Sequence, residues 1–283
     1  MKTTKIWLGV GVAVIAGANA PSPARAADPS ETAVLGKMLR SDTALSSSFQ
    51  LAQNTKGQGG ENETGEGGVD PAAADKDPVK YGVALQVIAA HYYAGLAAYE
   101  AGETQAGTEL FAHGFSEVYA EMEEVFKKRG VKDLGTKIEA AIAAANRKAP
   151  AAEVKQAVDA VLAELINAEK AAPKSSLSLL AVKAQILADT LDRAAAQYVL
   201  AAKKDATLET YLDGLGFSLA AQAQSRDLLP QIEKADPAIA KALRDTLALV
   251  ANAYPGLKRD SAAQAAPLLA AASTARIAVS KLP

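Results

Sequence analysis

The chain contains two histidines, His91 and His113, and both fall in one predicted helical hairpin. His91 lies eleven residues before Gly102, and His113 lies eleven residues after it. Because equal distances from a turn place residues at the same height on two antiparallel helices, we expect the two imidazoles to lie at one level. Glu117 follows His113 at the spacing i, i+4, which stacks the two side chains on one helix face. Two imidazoles and a carboxylate form a ligand set for a divalent transition metal such as zinc or iron.

The helical wheel favours a plainer interpretation of the same residues. The apolar stripe of the second helix is centred on Phe111 and Phe115. At 100° per residue, His113 and Glu117 fall on the opposite, solvent-facing side. They would then form a surface pair that stabilises the helix by about 0.3 kcal/mol. Gly114 lies between them, and a kink there would turn the helix faces, so the metal hypothesis stays open.

Two further residues near the histidines are candidates for a ligand-binding or partner-binding surface. Tyr93 falls off the apolar stripe of the first helix, unlike Tyr92 and Tyr99, whose spacing is typical of core positions. Glu121 lies one helical turn beyond Glu117 in a short acidic run, for which a solvated face is the alternative interpretation.

Composition and motifs exclude several classes of function. The sequence has no GxSxG, HExxH or glycine-rich phosphate loop, so we expect no enzyme. It has no cysteine, which excludes a disulfide framework, a CxxCH haem attachment and a lipid-anchor thiol. The net charge of -2 with scattered lysines argues against nucleic-acid binding. We expect a non-enzymatic protein that binds a metal ion or small ligand near its histidines. The alternative is a structural or interaction protein that has no ligand and uses its helical faces to bind a protein partner.

The first residues indicate export. Lys2 and Lys5 precede an apolar run over 6–18, and Ala24-Arg25-Ala26 is a small-x-small cleavage site. This order predicts a signal peptide over 1–26, cleaved after Ala26, and a periplasmic or secreted protein. The apolar run is shorter than the roughly 20 residues that a membrane span needs. No later segment is more apolar, so we expect no membrane span.

The rest of the chain divides into a tail and two helical units. Residues 31–51 could form one short helix, but residues 56–77 are rich in Gly, Glu, Asn and Asp. This composition predicts that residues 27–76 are a flexible, mostly disordered tail. Beyond it, apolar residues recur every three or four positions, the period of amphipathic helices. We predict an all-α fold of about eight helices, with one four-helix unit over 77–174 and a second over 175–283. In the second unit, one helix is expected to run from about Asp205 towards Pro230.

A short internal match indicates that the two units are a tandem duplication of a four-helix bundle. Gly114-Phe115-Ser116 recurs as Gly216-Phe217-Ser218, with the Pro and Gly residues that end helices in similar register. At the corresponding positions the second unit has Thr190, Leu215 and Leu219 instead of two histidines and a glutamate. A site built from these residues should therefore be single.

The hairpin also resembles a known pattern. It runs H-x3-G-x3-Y-x2-G and then H-F-x-H-P-x2-E-x-Y, and here it reads His91, Gly95, Tyr99, Gly102, Phe111, His113, Glu117 and Tyr119. This pattern is similar to that of a poorly characterised family of exported all-helical proteins of Gram-negative bacteria. The chain departs from it at Leu110, where the family has His, and at Gly114, where it has Pro. A looser, fold-level likeness connects the chain to imelysin-type periplasmic iron-uptake proteins, although their H-x-x-E motif is replaced here by H-x-x-x-E.

Overall fold

The computed structural model describes residues 68–258 and 264–283, and these form helices and turns without a strand, which confirms the predicted all-α class. The predicted signal peptide and residues 27–67 of the predicted tail lie outside the described residues. The elements are α1 (Pro71–Ala74), α2 (Pro78–Glu100), α3 (Thr104–His113), a π-helix (Gly114–Tyr119), α4 (Ala120–Lys128), α5 (Leu134–Asn146), α6 (Ala151–Ala168), a 3₁₀ turn (Glu169–Ala171), α7 (Leu179–Ala201), α8 (Leu208–Ala235), α9 (Pro237–Ala253) and α10 (Ala265–Val279).

The helix that carries His91 begins and ends where local sequence signals predict. The Asp77 carboxylate accepts a hydrogen bond from the Val79 amide at 2.7 Å, and Pro78 occupies the first helical position, where its missing N–H costs nothing. After Glu100 the chain turns at Gly102, whose φ of 92° favours glycine. These two ends fix the length of α2 and the position of the hairpin turn.

Two boundaries differ from the prediction. Ordered structure begins before residue 77, because Asp70 caps α1 and the Asp75 carboxylate lies 3.0 Å from Arg129 Nη2. Arg129 also donates to the Ala171 carbonyl, so one partly buried guanidinium joins the start of the described chain to the 3₁₀ turn after α6. In the second half, α8 does not end at Pro230 but continues through it to Ala235.

In each half, four helical segments have the same order of neighbours, when the continuous run of α3, π-helix and α4 counts as one segment and the four-residue α1 is left out. In the first half, α2 contacts α3 and α6, and α5 contacts α3 and α6. In the second half, α7 contacts α8 and α10, and α9 contacts α8 and α10. The four-helix arrangement therefore occurs twice in the described residues, while the tandem duplication itself stays a prediction.

Helix α2 lies at the centre of the molecule and contacts both halves. Tyr81 Oη and Tyr99 Oη donate to the carbonyls of Ala168 and Ala149, at 3.1 and 2.8 Å, which fixes α2 antiparallel to α6. Helices α7 and α8 of the second half pack against other sides of α2, and residues 68–258 and 264–283 belong to one compact unit. Because α2 is covered on several sides, most of its side chains are buried.

Among the described helices, none combines the length and the apolar character that crossing a membrane requires.

Candidate functional site

His91 lies in the middle of α2 and is buried, with 6% of its side chain exposed. Its Nδ1 lies 2.9 Å from the Val87 carbonyl oxygen. Since a carbonyl only accepts, the proton of the neutral ring is on Nδ1, and Nε2 presents a lone pair. Burial lowers the pKa of His91 to about 4, against a smaller raising effect of the Val87 hydrogen bond, while nearby His113 lowers it further. The imidazole is therefore neutral near pH 7 and its orientation is fixed.

The next helix reaches His91 because its regular α-helical winding is interrupted. After His113 the chain forms a π-helix over Gly114–Tyr119, whose i→i+5 hydrogen bonds fit an extra residue into the turn. The extra residue rotates the side chains that follow it relative to the α-helical wheel. Gly114 allows close packing on α2, since a Cβ at this position would lie 3.1 Å from Cβ of His91.

The structure brings the three predicted metal ligands together. Glu117 Oε2 lies 3.8 Å from His91 Nε2, and Glu117 Oε1 lies 3.9 Å from His113 Nδ1. Glu117 thus lies within 4 Å of both imidazoles. The helical wheel did not predict that Glu117 also faces the buried His91, because the wheel assumed a continuous α-helix. The side chains of His113 and Glu117 remain 32% and 40% exposed, so solvent reaches this side of the cluster.

A fourth residue, Glu209, joins the cluster from the second half of the chain. Its Oε1 lies 2.8 Å from His113 Nδ1, and the Glu209 side chain is 51% exposed. Sequence reasoning missed Glu209, because it lies 96 residues after His113 (209 minus 113) and no local motif marks it. The hypothesis of a site within the first unit is therefore incomplete.

The four side chains form a line rather than a shell. They follow one another in the order His91, Glu117, His113, Glu209, from the buried centre of α2 to the surface of α8. Across residues 68–258 and 264–283, no group of three or more His, Asp or Glu side chains is arranged as it would be around a bound metal ion. Coordination by this set would need His113 and Glu117 to turn.

The two predicted surface residues lie apart from this line. Tyr93 is partly buried, and burial raises the pKa of its hydroxyl; the charged groups that act on it are Arg226 and Asp159. Glu121 is exposed at the start of α4, and partial desolvation raises the pKa of its carboxyl.

Comparisons of the chain with protein-family models, with curated proteins and with solved structures found no match. The resemblance of the hairpin to exported helical proteins therefore stays a prediction.

Proposed function

We propose that this chain is an exported, non-enzymatic binding protein that holds a divalent transition metal with His91, His113 and Glu117. The single observation that supports the proposal most is the contact between His91 and Glu117. With its proton on Nδ1, His91 directs the Nε2 lone pair toward a carboxylate oxygen 3.8 Å away. A neutral imidazole nitrogen and a carboxylate oxygen are both donor atoms for a divalent transition metal.

The distance between His91 Nε2 and Glu117 Oε2 also suits a metal ion bound by both atoms. Two ligands on a tetrahedral zinc, each at about 2.0–2.1 Å, lie about 3.3–3.4 Å apart. The 3.8 Å between His91 Nε2 and Glu117 Oε2 exceeds this by a few tenths of an ångström, which a small rotation of the half-exposed glutamate removes. The hydrogen bond from His91 Nδ1 to a backbone carbonyl is the outer-shell contact that commonly fixes a metal-binding imidazole. Nitrogen and oxygen donors without a thiolate suit zinc, iron(II) or copper(II).

Export is supported by the N-terminal sequence order, from Lys2 and Lys5 through the apolar run over 6–18 to the Ala24-Arg25-Ala26 site. The intact mass of protein recovered from the periplasm tests this part of the proposal. A mature chain that begins at Ala27 would lack Trp7, the one tryptophan of the sequence, and would show no indole fluorescence. Recovery of an exported chain that keeps residues 1–26 would overturn it.

The metal part is tested by two measurements. Elemental analysis of protein purified from its native compartment should find about one equivalent of a transition metal. Titration calorimetry with zinc should then give a dissociation constant at least tenfold weaker for His113→Ala than for the wild type, with the helical circular dichroism unchanged. Glu124→Gln is the matched control, since Glu124 is 86% exposed and pairs with Lys127. Equal zinc affinity of wild type and His113→Ala would refute the proposal.

The alternative function, binding of a protein partner by helical faces, has its own support. Leu179, Ile277 and Ile166 are 70%, 65% and 63% exposed. They lie near helix ends that are joined, because the Ser178 amide donates to the Pro283 carbonyl and Lys183 pairs with Glu169. Exposed aliphatic side chains on adjacent elements are typical of interaction sites. Light scattering, which measures molecular mass in solution, tests self-association by comparing the wild type with a Leu179→Ser/Ile277→Ser variant. If both proteins have the mass of a monomer, the partner is not a second copy of this chain.

A further inference from the structure

A cavity of about 320 Å³ lies where α2, α8 and α9 meet the loop after α9. Its volume is about twice that of an engineered cavity of roughly 150 Å³ that binds benzene, and it falls within the range of small-molecule sites. The cavity is therefore large enough for a molecule of one or two rings. Pro255 is exposed, so a ligand can enter from solvent beside it. The residues that line the cavity include Ala97, Leu215, Leu219, Gln222, Tyr254 and Pro255.

The lining favours an uncharged ligand. Among the described residues that line the cavity, none is Asp, Glu, Lys, Arg or His. Leu215 and Leu219 lie one helical turn apart on α8 and form an aliphatic wall. The internal sequence match pairs these two leucines with His113 and Glu117, so the second half is aliphatic at the positions where the first half carries ionisable side chains. A charged ligand would lose its hydration here without gaining a partner, which is costly.

Two buried tyrosines fix the walls of the cavity. Tyr254 lines it, and its Oη donates to the Ala194 carbonyl at 2.8 Å. The ring of Tyr254 packs so closely on α8 that a Cβ at Gly214 would collide with the hydroxyl. Tyr211 Oη donates to the Gly256 carbonyl at 2.9 Å, which fixes the loop that forms the opposite part of the lining. Because these walls are already ordered, a ligand does not have to order them when it binds.

One side-chain amide gives the cavity a polar contact. Gln222 lies three residues after Leu219 on α8 and lines the cavity. Its Nε2 donates to Oγ of the buried Ser218 at 3.2 Å, which orients the carboxamide. The carbonyl oxygen Oε1 can then accept a hydrogen bond from a hydroxyl group of a ligand. A ligand with an aromatic ring also suits the ring of Tyr254, because aromatic pairs attract each other beyond the effect of their buried area.

We infer that this cavity binds a small, uncharged phenol. The aromatic ring of the phenol contacts Leu215, Leu219 and Tyr254, and its hydroxyl donates to Gln222 Oε1. The inference does not rest on the proposed metal function, because no described residue that lines the cavity belongs to the cluster that contains the two histidines.

The location of the site is tested by NMR titration of the ¹⁵N-labelled full-length chain with p-cresol. We expect the amide signals of residues 219–222 and 256–257 to shift. Ala251 lines the cavity and is half-buried, so Ala251→Phe places a ring in the space that the ligand needs and should lower the affinity at least about tenfold. Ala248→Phe adds the same ring at an exposed position of α9 and should stay within about twofold of the wild type.

The chemistry of the ligand is tested with two analogues of p-cresol. The carboxylate 4-methylbenzoate has a similar ring and a negative charge, and it should bind at least about tenfold more weakly than p-cresol. Toluene lacks the hydroxyl. Gln222→Leu keeps the approximate size of the side chain but removes the acceptor, so the ratio of p-cresol affinity to toluene affinity should fall about fivefold in this variant.

Three results would overturn the inference. The first is a wild type whose amide signals do not shift up to the solubility limit of p-cresol. The second is equal p-cresol affinity of the wild type and a folded Ala251→Phe. The third, which decides the matter if Ala251→Phe does not fold by circular dichroism, is an affinity ratio of p-cresol to toluene that is the same in the wild type and Gln222→Leu. Zinc titration of the wild type is a separate measurement, so failure of the metal function would leave these results unchanged.

Discussion

Acidification is expected to destabilise the metal-free protein through His91. The buried, neutral imidazole has a pKa of about 4, whereas an unfolded chain exposes it with an ordinary value near 6.5. Between these values the unfolded state binds a proton that the folded state does not. The contribution to stability is therefore complete above about pH 6.5 and is lost as the pH falls toward 4.

The size of the effect follows from the two pKa values. For a folded pKa of about 4 and an unfolded pKa of about 6.5, the linkage relation gives a loss of about 2 kcal/mol at pH 5 relative to pH 7. His91→Gln removes the titrating ring but keeps an amide that can donate to the Val87 carbonyl. The variant loses some stability at every pH, so the quantity of interest is the difference between the pH dependences of the two proteins.

The assay is urea unfolding followed by far-ultraviolet circular dichroism at pH 7 and pH 5, with a chelator present to remove metal. We expect the free energy of unfolding to fall by about 2 kcal/mol more in the wild type than in His91→Gln. His113→Gln is the matched control, since it removes the exposed histidine and keeps His91. Equal pH dependence of the wild type and His91→Gln would refute the conclusion that His91 is buried in its neutral form.

Three further predictions concern packing and binding. Tyr99→Phe should lower the free energy of unfolding by about 1 kcal/mol, because it removes the buried 2.8 Å hydrogen bond to the Ala149 carbonyl. Thermal or urea unfolding measures this change, and an unchanged free energy of unfolding would show that the bond does not stabilise the contact of α2 with α6. Gly107→Ala should lower the free energy of unfolding by about 1–3 kcal/mol, because the added Cβ would lie 2.6 Å from the Gly95 carbonyl oxygen. The control Ala106→Ser, at the neighbouring half-buried position, should change the free energy of unfolding far less. Zinc affinity should fall as the pH is lowered, since an imidazole must be unprotonated to coordinate. Calorimetry at pH 7.5 and 5.5 that gives equal affinities would argue against histidine ligands.

Much of the helical plan could be predicted because its signals are local. Asp77-Pro78 starts α2 and Gly102 ends the turn after it, and each signal acts within a few residues. Tyr92 and Tyr99 are buried, as their spacing predicts. Pro230 misled the prediction for α8, because long helices can lose one backbone hydrogen bond when their packing compensates for it.

The site could be predicted only in part, since its geometry depends on features that single-residue periodicity does not report. The composition indicated His91, His113 and Glu117, but the helical wheel placed Glu117 on the outer side. The π-helix after His113 changes that orientation, and a wheel with a constant angle per residue cannot represent it. Glu209 arrives through the packing of α8 on Ala90, a contact between halves that no local pattern encodes.

X-ray absorption spectroscopy of the zinc-loaded protein tests the central claim most directly, because it reports the donor atoms around the ion itself. We expect a first shell of nitrogen and oxygen at about 2.0–2.1 Å, with the multiple scattering of two imidazoles. The same measurement on His91→Gln should show one imidazole fewer. A wild-type spectrum with one imidazole or none, identical to that of the variant, would contradict the proposal that His91 and His113 bind the metal.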